Sequence, residues 1–394
     1  MPASSVLSDI KIADMTSAMF GPYCTQTLGD MGADVIKIEP PTGDVMRYGG
    51  KPAKTKGMGP MHFTINRGKR SVAWDQKTDE GKENTRRLIE TCDVFIHNVR
   101  DSAIRRLNLS FDEVKAIRKD IVYVHCTGFG SDGPYAGRPA FDDIIQSLSG
   151  MTSLIPRLEG DDQPRCLPTM IVDKVAALHA VYAVLGAIRE RDKTGEAVFV
   201  EVPMFECATH FLLADHFDGA VFDPPSDEYG FKRSFDRTLQ PMKTQDGWIM
   251  IAPYTDARWV KAFEVLGASK ELDDERLNDR RKRFFNSDLM HERIGTYFLA
   301  QTTDHWVQVL SDANIPASKA NSLEDLRQDP HLQQTGFFQK REHPTEGAYW
   351  EIQPPVRFPA SAQKEIRPAP HIGQDTDAVL AELGLAPSQP KPNQ

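Results

Sequence analysis

Cysteine is scarce in this chain, with five in 394 residues, at positions 24, 92, 126, 166 and 207, and no C-x-x-C pair among them. An odd number of widely spaced thiols suggests neither a disulfide framework nor a zinc site, so they are expected to be small core residues and no metal is expected. No run reads as a membrane span, and Met1-Pro2-Ala3-Ser4-Ser5 leads into a strand-like segment without the pattern of a signal peptide. A cytoplasmic protein with no membrane partner is the expectation. Positive charge is in deficit: 47 Lys and Arg against 56 Asp and Glu give a formal charge of −9, which argues against nucleic acid as a partner. The densest basic run, Arg280-Arg281-Lys282-Arg283, is flanked by Asp274, Glu275 and Asp279 and reads as a solvated helix face. Glycine signatures for nucleotides are also missing. Glu39 sits where a ribose-binding acid would, but Gly21, Gly29 and Gly32 do not make G-x-G-x-x-G, so NAD is not expected, and no Walker sequence occurs.

What is there is a globular composition, 40% apolar and 26% charged, over a length too great for one ordinary core. Val6 to Met15 reads as a strand, Tyr23 to Met31 as a helix and Asp34 to Glu39 as a second strand, a βαβ opening. The unit repeats through strands at Asp93 to His97 and Ile121 to Cys126, each short, apolar and bounded by turn residues as buried parallel strands are. The first half is therefore expected to be a doubly wound, Rossmann-like α/β domain over 1–217. The stretch 218–247 has few periodic apolar residues and reads as a linker, and 248–334 as a smaller α+β domain.

The chain turns on Thr169 to Arg191, a helix apolar almost all round that should lie inside the protein. It carries one carboxylate near its start, Asp173. The partial positive charge and unpaired N–H groups at a helix start favour an ionised carboxylate, the form a nucleophile needs. Asp is also a preferred N-cap, which is the plainer use of the same residue.

Three segments place polar residues where ligands of such sheets bind. Asn66-Arg67-Gly68-Lys69-Arg70-Ser71 precedes a strand-like Ser71 to Trp74 with three cations suited to phosphate oxygens, or to an exposed basic turn. Asn98-Val99-Arg100 and then Arg105-Arg106 follow the strand Asp93 to His97. Thr127 to Arg138 carries Gly128, Gly130, Gly133 and Gly137 directly after a strand, a loop able to approach a ligand closely or to move as a lid.

Gly21-Pro22, the run from Leu28-Gly29-Asp30 through Ile38-Glu39-Pro40, and Gly43-Asp44 resemble the opening signature of the family III CoA-transferases, the CaiB/BaiF family, which includes formyl-CoA and carnitine-type CoA-transferases. The basic turn, Gly128-Phe129-Gly130, Gly133-Pro134, Phe141-Asp142 before Ser149-Gly150, Asp173, Thr194-Gly195-Glu196 and Pro370-His371-Ile372-Gly373 continue the resemblance in the family's order to about Leu385. It implies coenzyme A as part of the substrate, a carboxylic acid acceptor, and Asp173 as the residue transiently acylated. It also implies that Lys69, Asn98 and Arg106, with Arg100 and Arg138, hold the CoA nucleotide and pantetheine. A C-terminal segment, 335–394, returning to the large domain and an interlocked-ring homodimer are further implications. Two departures stand out: Pro253-Tyr254-Thr255-Asp256 replaces a glycine run that some relatives carry as a lid, and Met19 stands where some have a polar contact to the thioester.

Rivals on the same fold are an acyl-CoA racemase and a non-catalytic CoA-binding protein. A racemase needs paired bases, typically a His near Asp142, and the segment Ala140-Phe141-Asp142-Asp143 has none. His125 lies among apolar strand neighbours and reads as a core residue. Oxyanion donors are expected from the backbone of Gly128 to Gly137.

Overall fold

The computed structural model describes residues 5–358 and 366–386; Met1 to Ser4 of the signal-peptide reading and the rest of the 335–394 segment lie outside the described residues. The chain groups into two units, a larger one of residues up to Thr152, Pro164–Ala214 and Gly336 onward, and a smaller one of Ser153–Gln163 with Asp215–Thr335.

In the larger unit the chain runs β1 (Lys11–Met15), α1 (Phe20–Asp30), β2 (Asp34–Glu39), α2 (Pro60–Asn66), β3 (Arg70–Ala73), α3 (Asp79–Glu90), β4 (Val94–His97), α4 (Asp101–Arg106), α5 (Phe111–Ile117), β5 (Val122–Thr127) and α6 (Asp142–Leu148). After α7 (Leu154–Glu159), which groups with the smaller unit, come α8 (Ile171–Thr194), β6 (Val198–Pro203) and α9 (Met204–His216). The six strands form one sheet in the order β3-β2-β1-β4-β5-β6, every pair parallel. This is the expected doubly wound α/β fold. β1 starts at Lys11 rather than Val6, because residues 6–9 turn back and Leu7 donates its N–H to Met31 O at 3.0 Å.

The Asp173 helix, α8, packs on α1, α6, β5 and β6. Val172, Val175, Ala176, Ala180 and Val184 are buried, and burial of each Val contributes about 1.5–3 kcal/mol. It ends at Gly195, whose φ of 69° is the left-handed turn that closes helices. Two expectations need correcting here. The helix is not enclosed all round, since Leu178 and Tyr182 are 51% and 61% exposed. By length and composition it also suits a membrane span, unlike the reading that no run does, although half of its apolar window is buried within the fold. Of the cysteines, Cys24, Cys92, Cys126 and Cys207 are buried, but Cys166 is exposed on the coil before α8.

In the smaller unit β7 (Met242–Lys243), β8 (Trp248–Ile251) and β9 (Ala317–Lys319) form an antiparallel sheet. With it go α10 (Asp256–Val265), α11 (Arg280–Phe285), α12 (Ser287–Phe298) and α13 (Thr303–Asp312), over a core that includes Phe263, Ile294, Phe298 and Leu310, and α14 (Pro330–Gln334) follows. The stretch 218–247, expected as a linker, belongs to this unit and contributes β7. The basic run on α11 is not wholly solvated: Arg283 is buried and donates to Asp256 at 2.7 Å and Leu277 O at 2.6 Å.

The chain then re-enters the larger unit as a hairpin, β10 (Phe338–His343) and β11 (Gly347–Ile352), and α15 (Thr376–Glu382). β3 is an edge strand, and this segment covers it: Ser71 N–H donates to Asp375 at 2.8 Å and Ala73 N–H to Thr376 Oγ1 at 3.0 Å. Val379 and Leu380 join the same core as Ile36, Val72 and Phe95.

Candidate active site

The strand order reverses between β1 and β4, and in open parallel sheets the crevice beyond the C-terminal ends of such strands is where ligands sit. Asn98, just past β4, bridges it: its Oδ1 accepts from Ser17 N–H at 3.0 Å and its amide donates to Ser17 O at 2.8 Å. The loop from Thr16 to Met19 is held from beneath by buried charges. Lys37 donates to Thr16 O and to Asp44, each at 2.8 Å, and Asp44 accepts from Ala18 N–H at 3.2 Å. Ala18 has a φ of 65°, a conformation that side chains disfavour, so the loop's shape is imposed by these contacts.

Above this loop opens a cavity of about 870 Å³, lined among others by Ser17, Phe20, Asn98, Arg100, Arg138 and Asp173. Asp173 stands in the first turn of α8, yet it is not the cap. The N–H groups of Val172 and Asp173 both donate to Oδ1 of Asp142, at 2.8 and 3.0 Å, and Asp142 is itself buried at the start of α6. Its other oxygen accepts from Gln146 at 2.6 Å, and Gln146 in turn accepts from Leu167 N–H at 2.8 Å, fixing the approach to α8. Asp173 is therefore relieved of the capping duty that was its plainer reading. Burial, and then the charges of Asp142 and Asp143, push its carboxyl up to about 7, opposed by the Phe20 N–H directed at it.

A solvent-reaching carboxylate at the switch point of this sheet order is what the sequence resemblance leads one to expect, and comparison with known proteins shows the family. The sequence profile of CoA-transferase family III matches residues 7–376. The chain belongs to CoA-transferase family III. It is 26% identical to human succinyl-CoA:glutarate CoA-transferase over 96% of this chain and 86% of that protein. With succinate–glutarate CoA-transferase of Agrobacterium fabrum the identity is 28%, over 96% and 95% of the two chains. Among solved structures, a CaiB/BaiF family protein from Brucella suis superposes with a TM-score of 0.84 at 27% identity, covering 96% of this chain and all of that one.

Set against this CoA-transferase fold, the residues expected to hold CoA divide into two groups. Asn98, Arg100 and Arg138 line the cavity; Arg138 rests its guanidinium 4.4 Å from the Tyr135 ring centre. Lys69 does not reach the cavity. It is fully buried and donates to Asp14 at 3.2 Å, Pro22 O at 2.9 Å, Thr25 at 2.8 Å and Asn66 at 2.9 Å. The neighbouring cations of that turn are also paired, Arg67 with Asp30 at 2.7 Å and Arg70 with Asp34 at 2.6 Å, so the basic turn is tied into the fold by internal ion pairs. Arg106 is exposed and off the cavity wall; the residue that lines it is Arg105, one position earlier on α4.

The glycine loop also differs from expectation. Gly130 N–H donates to Glu206 at 3.0 Å and Ser131 N–H to Glu201 at 3.1 Å, so two of the expected oxyanion donors are already engaged. Gly128 is required there for space, since a Cβ would fall 2.3 Å from that of Ala140. His125 was read as core, but its ring lies on the cavity wall, stacked 4.6 Å from His97. Burial lowers its pKa, with Glu201 opposing, and so favours the neutral ring. Phe111, Tyr123 and Phe199 complete this end of the wall, where alternation along β5 and β6 could have placed Tyr123 and Phe199 together.

Elsewhere His343, Glu346 and His371 bring ligand-type atoms within 4.8 Å of one another. Each is already bonded. His343 Nε2 meets Ala369 O at 3.1 Å, Glu346 accepts from the Lys54 and Thr55 N–H groups at 3.0 and 2.9 Å, and His371 meets Thr345 Oγ1 at 2.7 Å. The cluster ties the hairpin turn to the C-terminal segment.

Proposed function

We propose that this enzyme moves CoA from an acyl-CoA donor, with succinyl-CoA the first to try, to a carboxylic acid through covalent acylation of Asp173. The single observation that carries the reading is that the helix is capped by Asp142, which leaves the Asp173 carboxylate free on the cavity wall. A carboxyl pushed up to about 7 is a better base and nucleophile than an ordinary one and is still half ionised at neutral pH. An Asp173 oxygen bonds to the acyl carbon, the carbon–sulfur bond breaks, and CoA leaves as thiolate with the electron pair. The thiolate then attacks the Asp173 carbonyl of the mixed anhydride, releasing the donor acid and leaving an aspartyl-CoA thioester. The incoming carboxylate repeats the sequence in reverse and restores Asp173. Incubation with acyl-CoA followed by hydroxylamine or borohydride should modify the peptide that carries Asp173; modification of another peptide overturns the assignment. The names of the relatives support succinyl donors and dicarboxylic acceptors, to be checked by a screen of acyl-CoAs against acids with product masses read out.

In this reading Asn98 and Arg100, with Arg105 and Arg138, hold the anionic end of CoA, and the aromatic faces of Phe111, Tyr123 and Phe199 suit its adenine. Loss of a charge-assisted phosphate contact costs about 1.5–3 kcal/mol. Arg100→Ala with Arg105→Ala should therefore raise KM for acyl-CoA by about tenfold or more, with kcat within threefold. Equal kinetics for variant and wild type would remove these cations from the site.

The homodimer also belongs to this reading. Leu178 and Tyr182, one turn apart on α8, are exposed together with Ile144 and Leu148 of α6, apolar side chains that a second copy would cover. Sedimentation should give a dimer for the wild type and a monomer for Leu178→Glu with Tyr182→Glu; a monomeric wild type at micromolar concentration overturns it.

A further inference from the structure

Asp142 takes part in no step of the scheme above, yet it is the group most intimately bonded to the start of α8. One of its oxygens receives two consecutive backbone N–H groups, those of Val172 and of Asp173 itself, while the other is held by Gln146 at 2.6 Å. Asp142 is 6% exposed, and no cation stands among these contacts. A carboxylate so placed meets N–H groups that the helix start leaves unpaired. It fixes the backbone of Asp173 from outside the helix, and it sets a second negative charge beside the nucleophile.

We propose that Asp142 is the positioning residue of the reaction: by capping α8 from α6 it aims the Asp173 carboxylate into the cavity and sets a carboxylate beside it. The inference rests on Asp173 being the group acylated. Were Asp173 to cap its own helix, its oxygens would turn back onto the N–H groups, lowering its basicity and withdrawing it from the thioester. With the cap supplied by Asp142, the oxygens face Phe20 N–H and the cavity. Asp143 on α6 adds a further negative charge, and Lys174, next in the chain, is drawn away to Thr169 Oγ1 at 2.6 Å. The other titratable or charged side chains on the cavity wall are Arg100, Asp101, Arg105, Tyr123, His125, Cys126, Arg138 and Glu201.

Two substitutions separate aim from charge. Asp142→Asn keeps an oxygen to cap the helix but removes the charge, so the acidic limb of the pH–rate profile, expected near 7 in the wild type, should move to lower pH with kcat at high pH within about threefold. Asp142→Ala removes the cap as well, and misaiming of the nucleophile should lower kcat about 10- to 100-fold, with KM for acyl-CoA changed far less. Acyl trapping at Asp173, followed by mass, distinguishes the two hypotheses. Slow labelling of the Asp173 peptide in Asp142→Ala supports the positioning role. Labelling at the wild-type rate overturns it while leaving the acylation scheme intact, and labelling elsewhere in the wild type overturns the scheme. An unmoved acidic limb in a well-folded Asp142→Asn protein also overturns the proposal.

Discussion

Replacing Asp173 by asparagine is expected to abolish CoA transfer, by roughly 10⁴-fold or more, while acyl-CoA still binds. The amide fills the same space but offers no charged oxygen to form the anhydride, and the proposed CoA contacts lie on other elements. The same substitution should stabilise the protein. Burial, then Asp142 and Asp143, raise the Asp173 carboxyl from its ordinary 3.8 to about 7 in the folded state. Between about pH 4 and 7 the folded protein therefore retains a proton that the unfolded chain has lost, so folding weakens as pH rises across that window. Above the window the penalty is complete, roughly 2–4 kcal/mol, and the asparagine does not carry it. In thermal denaturation without ligand, Asp173→Asn should melt above wild type at pH 8 and level with it near pH 4. Equal melting at both values would mean that the charge is not strained, and the argument for a basic nucleophile would fail with it.

How much of this could be read from the chain follows from what sets each feature. Central strands such as Val94–His97 are legible because a short apolar run sits between turn residues, and Asp34–Glu39 is read residue for residue. Asp173 was legible as the sole acid at the head of an apolar helix. Its freedom to act was not, because the group that caps the helix sits on α6, 31 positions away from the Asp173 N–H that it accepts. Phe141-Asp142 stands out as a motif, but capping across elements leaves no local spacing to detect. That Arg105 and not Arg106 lines the cavity is hidden for a related reason: adjacent residues on a helix face about 100° apart, and the sequence does not say which way α4 is turned. The basic turn misled most. Its three cations suit phosphate oxygens as residue types, whereas Asp14, Asp30 and Asp34, all within the first βαβ unit, neutralise them one by one.

That reversal changes what Lys69 is for. Its ammonium group is buried beneath the first turn of α1, bonded to Asp14, Thr25, Asn66 and the Pro22 carbonyl. Burial would raise the Asp14 carboxyl, but Lys69 and Lys37 beside it more than reverse this and hold it below the usual range. Asp14 also accepts from Thr16 N–H at 3.0 Å, at the base of the loop that carries Ala18 and Phe20 to the cavity. Removing one partner of a buried ion pair leaves the other charge uncompensated, a loss of about 3–5 kcal/mol. Lys69→Ala is therefore expected to lower stability to denaturant by that amount. In the protein that remains folded, affinities for CoA and dephospho-CoA should fall equally or not at all, because the ammonium group does not reach the cavity. Selective weakening of CoA over dephospho-CoA would restore Lys69 as a phosphate contact and require the ammonium group to leave its buried network. Wild-type stability would show that Lys37 alone suffices to neutralise Asp14.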